Sequence, residues 1–425
     1  MRTLFTLITI IFLSGLNAQD TLRVMHYNLL DYGNSGFCTN NTNNTDQKDA
    51  YLRAIISYAR PDIFTVNELS KLTTYHSRLL SEVMNQTGYA LFGMANSPNI
   101  ADSYIVNQLY YNSEKLALHS QVVAQSEVRD IDVYRLYYLS EKLAEGDTIF
   151  IYCIVAHLKA GSGNDDEAQR AVMTNNALNY LETGNRPGNY LFMGDFNLYD
   201  SVEEAFQLMI NNNDPVFRFY DPANAIGDWH EEYEFQHVHT QSTRGTSSGC
   251  GASGGMDDRF DFILMNKVIN DQAAKMYYLE GSYRAFGQDG NRLNGTIQDP
   301  PNTSLPAYLI DALYNMSDHL PVIMDLVVDE SLDIDDIAGT KKESLNVSYN
   351  NPAKSKLNLT ISSSVRGEAV LSLRNTSGVL VYRRSVSLKN IHSVSIPIDT
   401  IIPGMYILSL EHEKARFTGK VIVIR

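Results

Sequence analysis

At 425 residues the chain is too long for one ordinary core, so two or more domains are expected. Hydrophobic residues make up 44% and charged residues 20%, a globular rather than a disordered composition. A formal net charge of −15 argues against a general electrostatic clamp on nucleic acid. It leaves room for a cleft in which a few local cations and a bound metal dominate.

The N-terminus has the pattern of a secretory signal over residues 1–18. Arg2 is the charged start, Leu4 to Leu16 the apolar core, and Leu16-Asn17-Ala18 a small-residue cut site. The apolar run is short of the roughly 18–20 residues that span a bilayer, so a mature chain beginning near Gln19 without stable membrane insertion is expected. Of the three cysteines, Cys153 lies inside the apolar run Ile149–Val155 and is a core residue. Cys38 and Cys250 sit in polar, Gly-rich loops, and export would allow them to pair if those loops meet.

Thr21–Tyr27 reads as a first strand delivering Asn28 at its end. The loop Asp31–Thr45 holds two Asn-x-Thr triplets, at Asn40 and Asn43, acceptors of glycan only in a suitable host. Helical spacing runs from about Asp46 to Ala59, with Pro61 beyond its end. Asp62–Val66 is a short buried strand that presents Glu68. A second helix is expected over Lys71–Gln86, with Leu72, Tyr75, Leu79, Leu80 and Val83 on one face. Strand signals recur at Tyr89–Met94, Ser103–Tyr111 and Tyr134–Leu139, separated by polar turns. Asp147–Leu158 is a strong strand ending in His157 and Lys159, and Asp165–Leu181 a helix opening on acids that suit its positive end.

Tyr190-Leu191-Phe192-Met193-Gly194-Asp195-Phe196-Asn197 follows. Its apolar residues read as a fully buried strand, and Gly194 as a turn that lets backbone approach a ligand. Asp195 and Asn197, two apart, can face the same side. Residues 211–255 are irregular, and a loop this long inside a globular domain is functional or mobile. Arg259–Leu264 is another strand, with Asp261 at its start. Residues 285–315 read as a loop-rich insertion, after which Ser317-Asp318-His319 precedes the apolar run Leu320–Val328.

The polar stretch 330–344 reads as a linker. Residues 345–425 then show about seven short strand signals between Gly, Asn and Pro punctuation, the pattern of a small β-sandwich without a catalytic cluster.

Six strand ends thus carry polar groups: Asn28, Glu68, His157, Asp195 with Asn197, Asp261, and Asp318 with His319. Any one of them could cap a helix or satisfy a turn. Gathered together they are costly without a metal or charged substrate to balance them. Oxygen donors such as Glu68, Asp195 and Asp318 favour Mg²⁺, Mn²⁺ or Ca²⁺ over zinc. A histidine oriented by a carboxylate can take a proton from water, and a second can serve the leaving oxygen. The set suits cleavage of a phosphate ester.

In order along 21–328, Asn28, Val66-Asn67-Glu68, His157-Leu158-Lys159-Ala160-Gly161, Gly194-Asp195-Phe196-Asn197, Arg259-Phe260-Asp261 and Ser317-Asp318-His319 resemble the endonuclease/exonuclease/phosphatase (DNase I-like) superfamily. That superfamily includes secreted DNases, abasic-site endonucleases, sphingomyelinases and inositol-phosphate phosphatases. The resemblance implies a four-layer α/β sandwich of two β-sheets flanked by helices over 19–329. It implies Glu68 as the main metal ligand, with Asn28 and Asp318 nearby. His319, oriented by Asp261, would be the base on the attacking water. Asp195 and Asn197 would position the nucleophile and the phosphate, and His157 would contact phosphate or leaving group. Lys159 and Arg170 are added as candidate phosphate contacts, Arg170 with a solvated helix face as its alternative. His237, His239 and Arg244 could shape substrate choice or be ordinary loop residues. One departure stands out: Ser103–Tyr111 supplies no acid to orient His157, as DNase-like members do, and only Asp102 is close.

Asn351-Pro352, Gly404-Met405-Tyr406 and the closing Gly419–Ile424 resemble the C-terminal sorting domain of the Bacteroidetes type IX secretion system. Together the two resemblances imply a monomeric, exported or cell-surface, Mg²⁺-dependent (or Mn²⁺- or Ca²⁺-dependent) phosphodiesterase. Its expected substrate is DNA or RNA, with a sphingomyelinase-like or inositol/sugar-phosphate hydrolase as the alternative. Residues 345–425 would engage the secretion machinery.

Overall fold

The computed structural model describes residues 19–34, 38, 43–184, 188–247, 250–299, 301–330, 345–363, 366–375, 379–388, 391–412 and 415–424. The expected signal segment 1–18, the Asn40 triplet and the linker stretch beyond Glu330 lie outside the described residues. The chain divides into two units, 1–337 and 338–425.

The first unit opens on β1 (Asp20–Tyr32), α1 (Thr45–Ala59) and β2 (Ile63–Ser70). Next come α2 (Thr73–Arg78), β3 (Phe92–Met94), β4 (Ile105–Asn112), β5 (Leu116–Gln125) and β6 (Ile131–Tyr138). They are followed by β7 (Phe150–His157), α3 (Asn164–Gly184), β8 (Asn189–Asp195), α4 (Glu204–Ile210) and β9 (Phe219–Tyr220). β10 (Asp261–Asn266), α5 (Lys267–Asn270), β11 (Met276–Tyr278), β12 (Arg284–Ala285), α6 (Ala307–Met316) and β13 (Val322–Val328) complete it.

One sheet runs β11-β13-β1-β2-β4-β3 with β12 also on β13, and the other runs β5-β6-β7-β8-β10-β9. Strand alternation divides the burial between two faces. Leu22 and Val24 of β1 meet Cys153 and Val155 of β7 and Met193 of β8 in the core between the sheets. Met25 and Tyr27, facing the other way, lie under Leu52, Ile55 and Ile56 of α1 and Leu313 and Met316 of α6. On the far side Met173 and Leu178 of α3 and Phe206 of α4 cover Ile154, Phe192 and Phe262. The unit is a four-layer α/β sandwich, helices–sheet–sheet–helices.

Three local readings are corrected. The Lys71–Gln86 helix holds α form only over Thr73–Arg78, then widens into a π turn at Leu79–Val83. Leu72 caps it and is 56% exposed, so it is no part of the buried face. The insertion 285–315 contains α6, whose Leu309, Ile310, Leu313 and Met316 recur at helical spacing and are buried. Between the strands of 103–111 and 134–139 lies a further strand, β5, paired along β6.

Among its described residues the second unit has seven antiparallel strands: β14 (Leu345–Tyr349), β15 (Lys356–Ser363), β16 (Gly367–Asn375), β17 (Leu380–Leu388), β18 (Ile391–Pro397), β19 (Gly404–His412) and β20 (Ala415–Val423). The sheets β14-β15-β18 and β17-β16-β19-β20 close on Leu357, Leu359, Leu371, Leu373, Leu408 and Leu410. It is a small β-sandwich.

Candidate active site

Strand direction explains why residues far apart in the chain meet. β1 and β2 are parallel, as are β7 and β8, so Asn28, Glu68, His157 and Asp195 all leave carboxyl ends at one edge. β10 and β13 run antiparallel to these pairs, so their beginnings, Asp261 and the Ser317–His319 turn, return to the same edge. His157 is in register with Asp195, and Asp195 with Asp261.

Close approach at this edge requires Gly194, at φ +151°. A Cβ there would stand 1.8 Å from the Ala156 carbonyl oxygen. The glycine therefore lets β7 and β8 touch just before His157 and Asp195, rather than admitting a ligand as its position suggested. Left-handed backbone clusters at the same edge, at Leu30, Asp31, Glu68 and Asn197. Such conformations cost of order 1–3 kcal/mol each and persist where the surroundings enforce them. Buried Lys48 helps to do so, donating at 2.7 Å to the carbonyls of both Leu29 and Leu30. Burial lowers its ammonium pKa to about 7.

The tightest contact is between His319 and Asp261. Nδ1 of the ring lies 2.7 Å from Asp261 Oδ2, and both residues are buried. That bond leaves His319 Nε2 facing the site, 3.8 Å from Asp195 Oδ2. Burial works to lower the pKa of His319, but the Asp261 and Asp195 carboxylates outweigh it and hold it well above the ordinary value. His157 Nε2 is 3.6 Å from Asp195 Oδ2 and 3.9 Å from Glu68 Oε1. Burial, reinforced by the Arg129 charge, keeps His157 neutral, its pKa far below the usual range.

Asn28 Nδ2 donates to Glu68 Oε1 at 3.1 Å and to Asp195 Oδ2 at 2.9 Å. Glu68 also accepts from the Asp31 amide. Asp195 Oδ1 accepts from the Asn197 amide at 3.1 Å. Burial, followed by the nearby charge of Asp318, raises the Glu68 pKa. Burial raises that of Asp195, and Asp261 and Glu68 push the same way. A buried excess of carboxylates calls for a cation, and oxygen donors fit a hard divalent one. The closest group of donors is Glu68, His157 and Asp195, whose ligand atoms lie within 4.8 Å of one another. It shares Glu68 with the expected set of Glu68, Asn28 and Asp318. Asn28 turns its Oδ1 to the Leu30 amide, and Asp318 Oδ2 accepts from the Ala252 amide at 2.6 Å.

Two expected phosphate contacts are placed elsewhere. Arg170 is fully buried; it pairs with Glu203 at 2.7 Å and donates to the Lys159 and Gly161 carbonyls. It fastens the loop after His157 and presents no free face to a phosphate, nor does it lie on a solvated helix face. Lys159 reaches Asp166 and its neighbour's carbonyl on that loop. In the long loop, His239 is buried between the Trp229 and Met256 carbonyls, and Arg244 is buried and donates to the Cys250 carbonyl. His237 is exposed beside Glu234.

Other residues join the site unannounced. Arg129, beyond β5, donates to the Leu158 carbonyl at 2.9 Å, and its charge acts on both Glu68 and His157. Gln241 sets its carboxamide 2.6 Å from His319 Nε2, able to donate to the neutral ring or, flipped, to accept from the charged one. Asn107 of β4 occupies the neighbourhood where the sequence lacked an acid, bonded to Asn67, Asp132 and the Val155 carbonyl. Asn67 in turn accepts from the Asp195 amide. A histidine near a strand end can be seen in a sequence; an arginine in a hairpin turn and a glutamine in a long loop carry no such mark.

Cys38 and Cys250 form a disulfide, Cα atoms 4.9 Å apart, that ties the loop after β1 to the loop carrying Ala252. A cavity of about 550 Å³ opens beside Gln241, the neighbour of His319. Gln241 and Ala252 belong to its wall, with the rings of Tyr199, His230 and Phe260 and the carboxylates of Asp228, Asp257 and Asp258. Burial, then the Asp258 charge, raises the Asp257 pKa to about 7.

Among solved structures, an endonuclease/exonuclease/phosphatase family protein from Bacteroides thetaiotaomicron is similar at 13% identity and TM-score 0.44, over 74% of this chain and 98% of its own. D. rerio TDP2, complexed with a single-strand DNA product, is similar at 13% identity and TM-score 0.43, over 72% and 98%. The human Nocturnin catalytic domain, with a bound sulfate anion, is similar at 14% identity and TM-score 0.43, over 72% and 97%. No curated protein matches the chain. No helix among the described residues is long and apolar enough to cross a membrane. The family model of the secretion system C-terminal sorting domain matches residues 347–424, the β-sandwich of the second unit, and this match points to export.

Proposed function

We propose that the first unit is a divalent-metal-dependent phosphodiesterase of the endonuclease/exonuclease/phosphatase type, exported by means of its C-terminal sorting domain, with extracellular DNA or RNA as substrate. The observation that carries the reading is the buried His319–Asp261 pair at 2.7 Å, set among three further carboxylates and a neutral histidine. Glu68, with Asp195, Asp318 and Asn28, would hold the ion, Mg²⁺ or a close relative. Such an ion polarises a phosphoryl oxygen and offsets the charge that develops there.

The chain's own residues supply the rest. In its neutral form His319 takes a proton at Nε2 from the attacking water, while Asp261 fixes the ring and stabilises the charged form that results. Asp195 and Asn197 orient that water and the phosphate. Neutral His157 donates a hydrogen bond to a phosphate or leaving oxygen, and the Arg129 guanidinium meets a non-bridging oxygen. The cavity beside the base supports a second reading. Aromatic faces ringed by carboxylates suit a phosphodiester bearing an ammonium group, as in a choline phospholipid.

The test is hydrolysis of plasmid DNA and, in parallel, of sphingomyelin vesicles, with Mg²⁺ or Ca²⁺ and with EDTA. DNA nicking abolished by EDTA is the expected result. Lipid hydrolysis with intact DNA would move the substrate to the second reading. Hydrolysis unaffected by EDTA would contradict the metal-dependent mechanism.

A further inference from the structure

Alternation along β1 sends Leu22, Val24, His26 and Asn28 to the same side, toward the second sheet. Leu22 and Val24 belong to the apolar core there, and Asn28 to the active site. His26, between them, is fully buried. Its Nδ1 lies 2.9 Å from Thr65 Oγ1 on β2. Its Nε2 has no hydrogen-bond partner among the described residues, and it lies 4.0 Å from Asp261 Oδ1, which has none either. The Asn67 carboxamide, which also bears on His26, accepts from the Asp195 amide and donates to Asn107. Asp261 Oδ2 is held by His319.

An unpaired buried donor or acceptor is costly, because it gives up its bond to water without a replacement. A leucine at position 26 would have continued the apolar face without that cost. The two orphaned atoms face each other across the inter-sheet gap, and a movement of about 1 Å brings them into hydrogen-bond range. Thr65 Oγ1 also lies 3.1 Å from Met193 Sδ and 3.5 Å from the Met25 carbonyl; when its hydroxyl proton turns to Nδ1 instead, the ring proton sits on Nε2, directed at the carboxylate. We propose that His26 is a positioning residue: its Nε2–H holds the free oxygen of Asp261, and so fixes the angle at which Asp261 presents His319 to the site. The inference rests on the reading of His319 as base, and it extends the Asp261–His319 pair inward to Thr65.

The experiment uses the whole chain with Mg²⁺ and bis(p-nitrophenyl) phosphate as probe, in His26→Leu, His26→Gln and Thr65→Val variants. Each is followed by thermal denaturation, by kcat and KM, and by the downfield ¹H resonance of the His319 Nδ1–H. Outer-shell partners of this kind are worth about 10–100-fold. His26→Leu is expected to lower kcat by that factor at unchanged KM and to shift the resonance. His26→Gln, which keeps a donor near the Nε2 position, should recover most of the rate. A folded His26→Leu protein with wild-type kcat and an unshifted resonance would overturn the proposal. If that variant does not fold, Thr65→Val decides: a lower kcat with a shifted resonance supports the contact, and wild-type values for both overturn it. If the wild type hydrolyses nothing, the function reading fails separately, and the resonance still reports on the His26–Asp261 contact.

Discussion

Buried carboxylates recur at the working edge of the first unit, and Asp132 shows what they do to stability. It is buried on β6 beside Asn107, and desolvation raises its pKa to about 7, Asn107 opposing and Asp130 assisting. An unfolded aspartate titrates near 3.8. The folded chain therefore keeps a proton that the unfolded chain has already lost between these values. The stability contributed is full below about pH 4 and is lost as pH rises through about 7. Asp132→Asn should flatten this part of the profile and raise the unfolding free energy above pH 7 by an amount on the order of a few kcal/mol, seen as a higher melting temperature. Thermal denaturation from pH 4 to pH 8.5 checks it; an Asp132→Asn profile parallel to the wild type would contradict the assignment.

The connection between elements that matters most to the site is covalent. The Cys38–Cys250 bridge spans a sequence separation of 212 and steadies the segment whose Ala252 amide binds Asp318. Gly251, in between, has φ +77°, and a Cβ on it would stand 2.7 Å from the Asp318 carboxylate, so the loop closely abuts that side chain. Cys38→Ser is expected to cost about 2–5 kcal/mol in urea unfolding. It should also reduce kcat/KM, because Asp318 loses its backbone anchor. Unchanged values of both under oxidising conditions would contradict this role.

At this scale the legibility of the sequence divides by range. Buried strands bounded by polar residues marked Asn28, Glu68, His157, Asp195 and Asp261 as candidates, since apolar runs and their punctuation are local. Arg170 misled for the same reason: nearness in sequence to His157 could not show that Glu203 and the Lys159 carbonyl would enclose its guanidinium. Gln241, Arg129 and His26 take their meaning only from partners across the fold. α6 escaped notice because Asn- and Pro-rich neighbours hid a ten-residue apolar helix.

For the whole molecule, every residue placed at the site lies between His26 and His319, inside the first unit, whereas the sorting domain match occupies 347–424. On the proposed function, catalysis and address would be carried by separate units. A chain ending at Asp329 should retain the kcat/KM of the full-length protein on bis(p-nitrophenyl) phosphate. Loss of activity in a folded truncated chain would contradict that separation.

The central claim is that His319, held by Asp261, is the base of a phosphodiesterase. The measurement that tests it most directly is the rate of bis(p-nitrophenyl) phosphate hydrolysis by wild type and His319→Ala, with Mg²⁺ and with circular dichroism to establish the fold of both. The account predicts an intact fold and a fall in kcat of about 10²–10⁴-fold. Near-normal turnover by folded His319→Ala would contradict it.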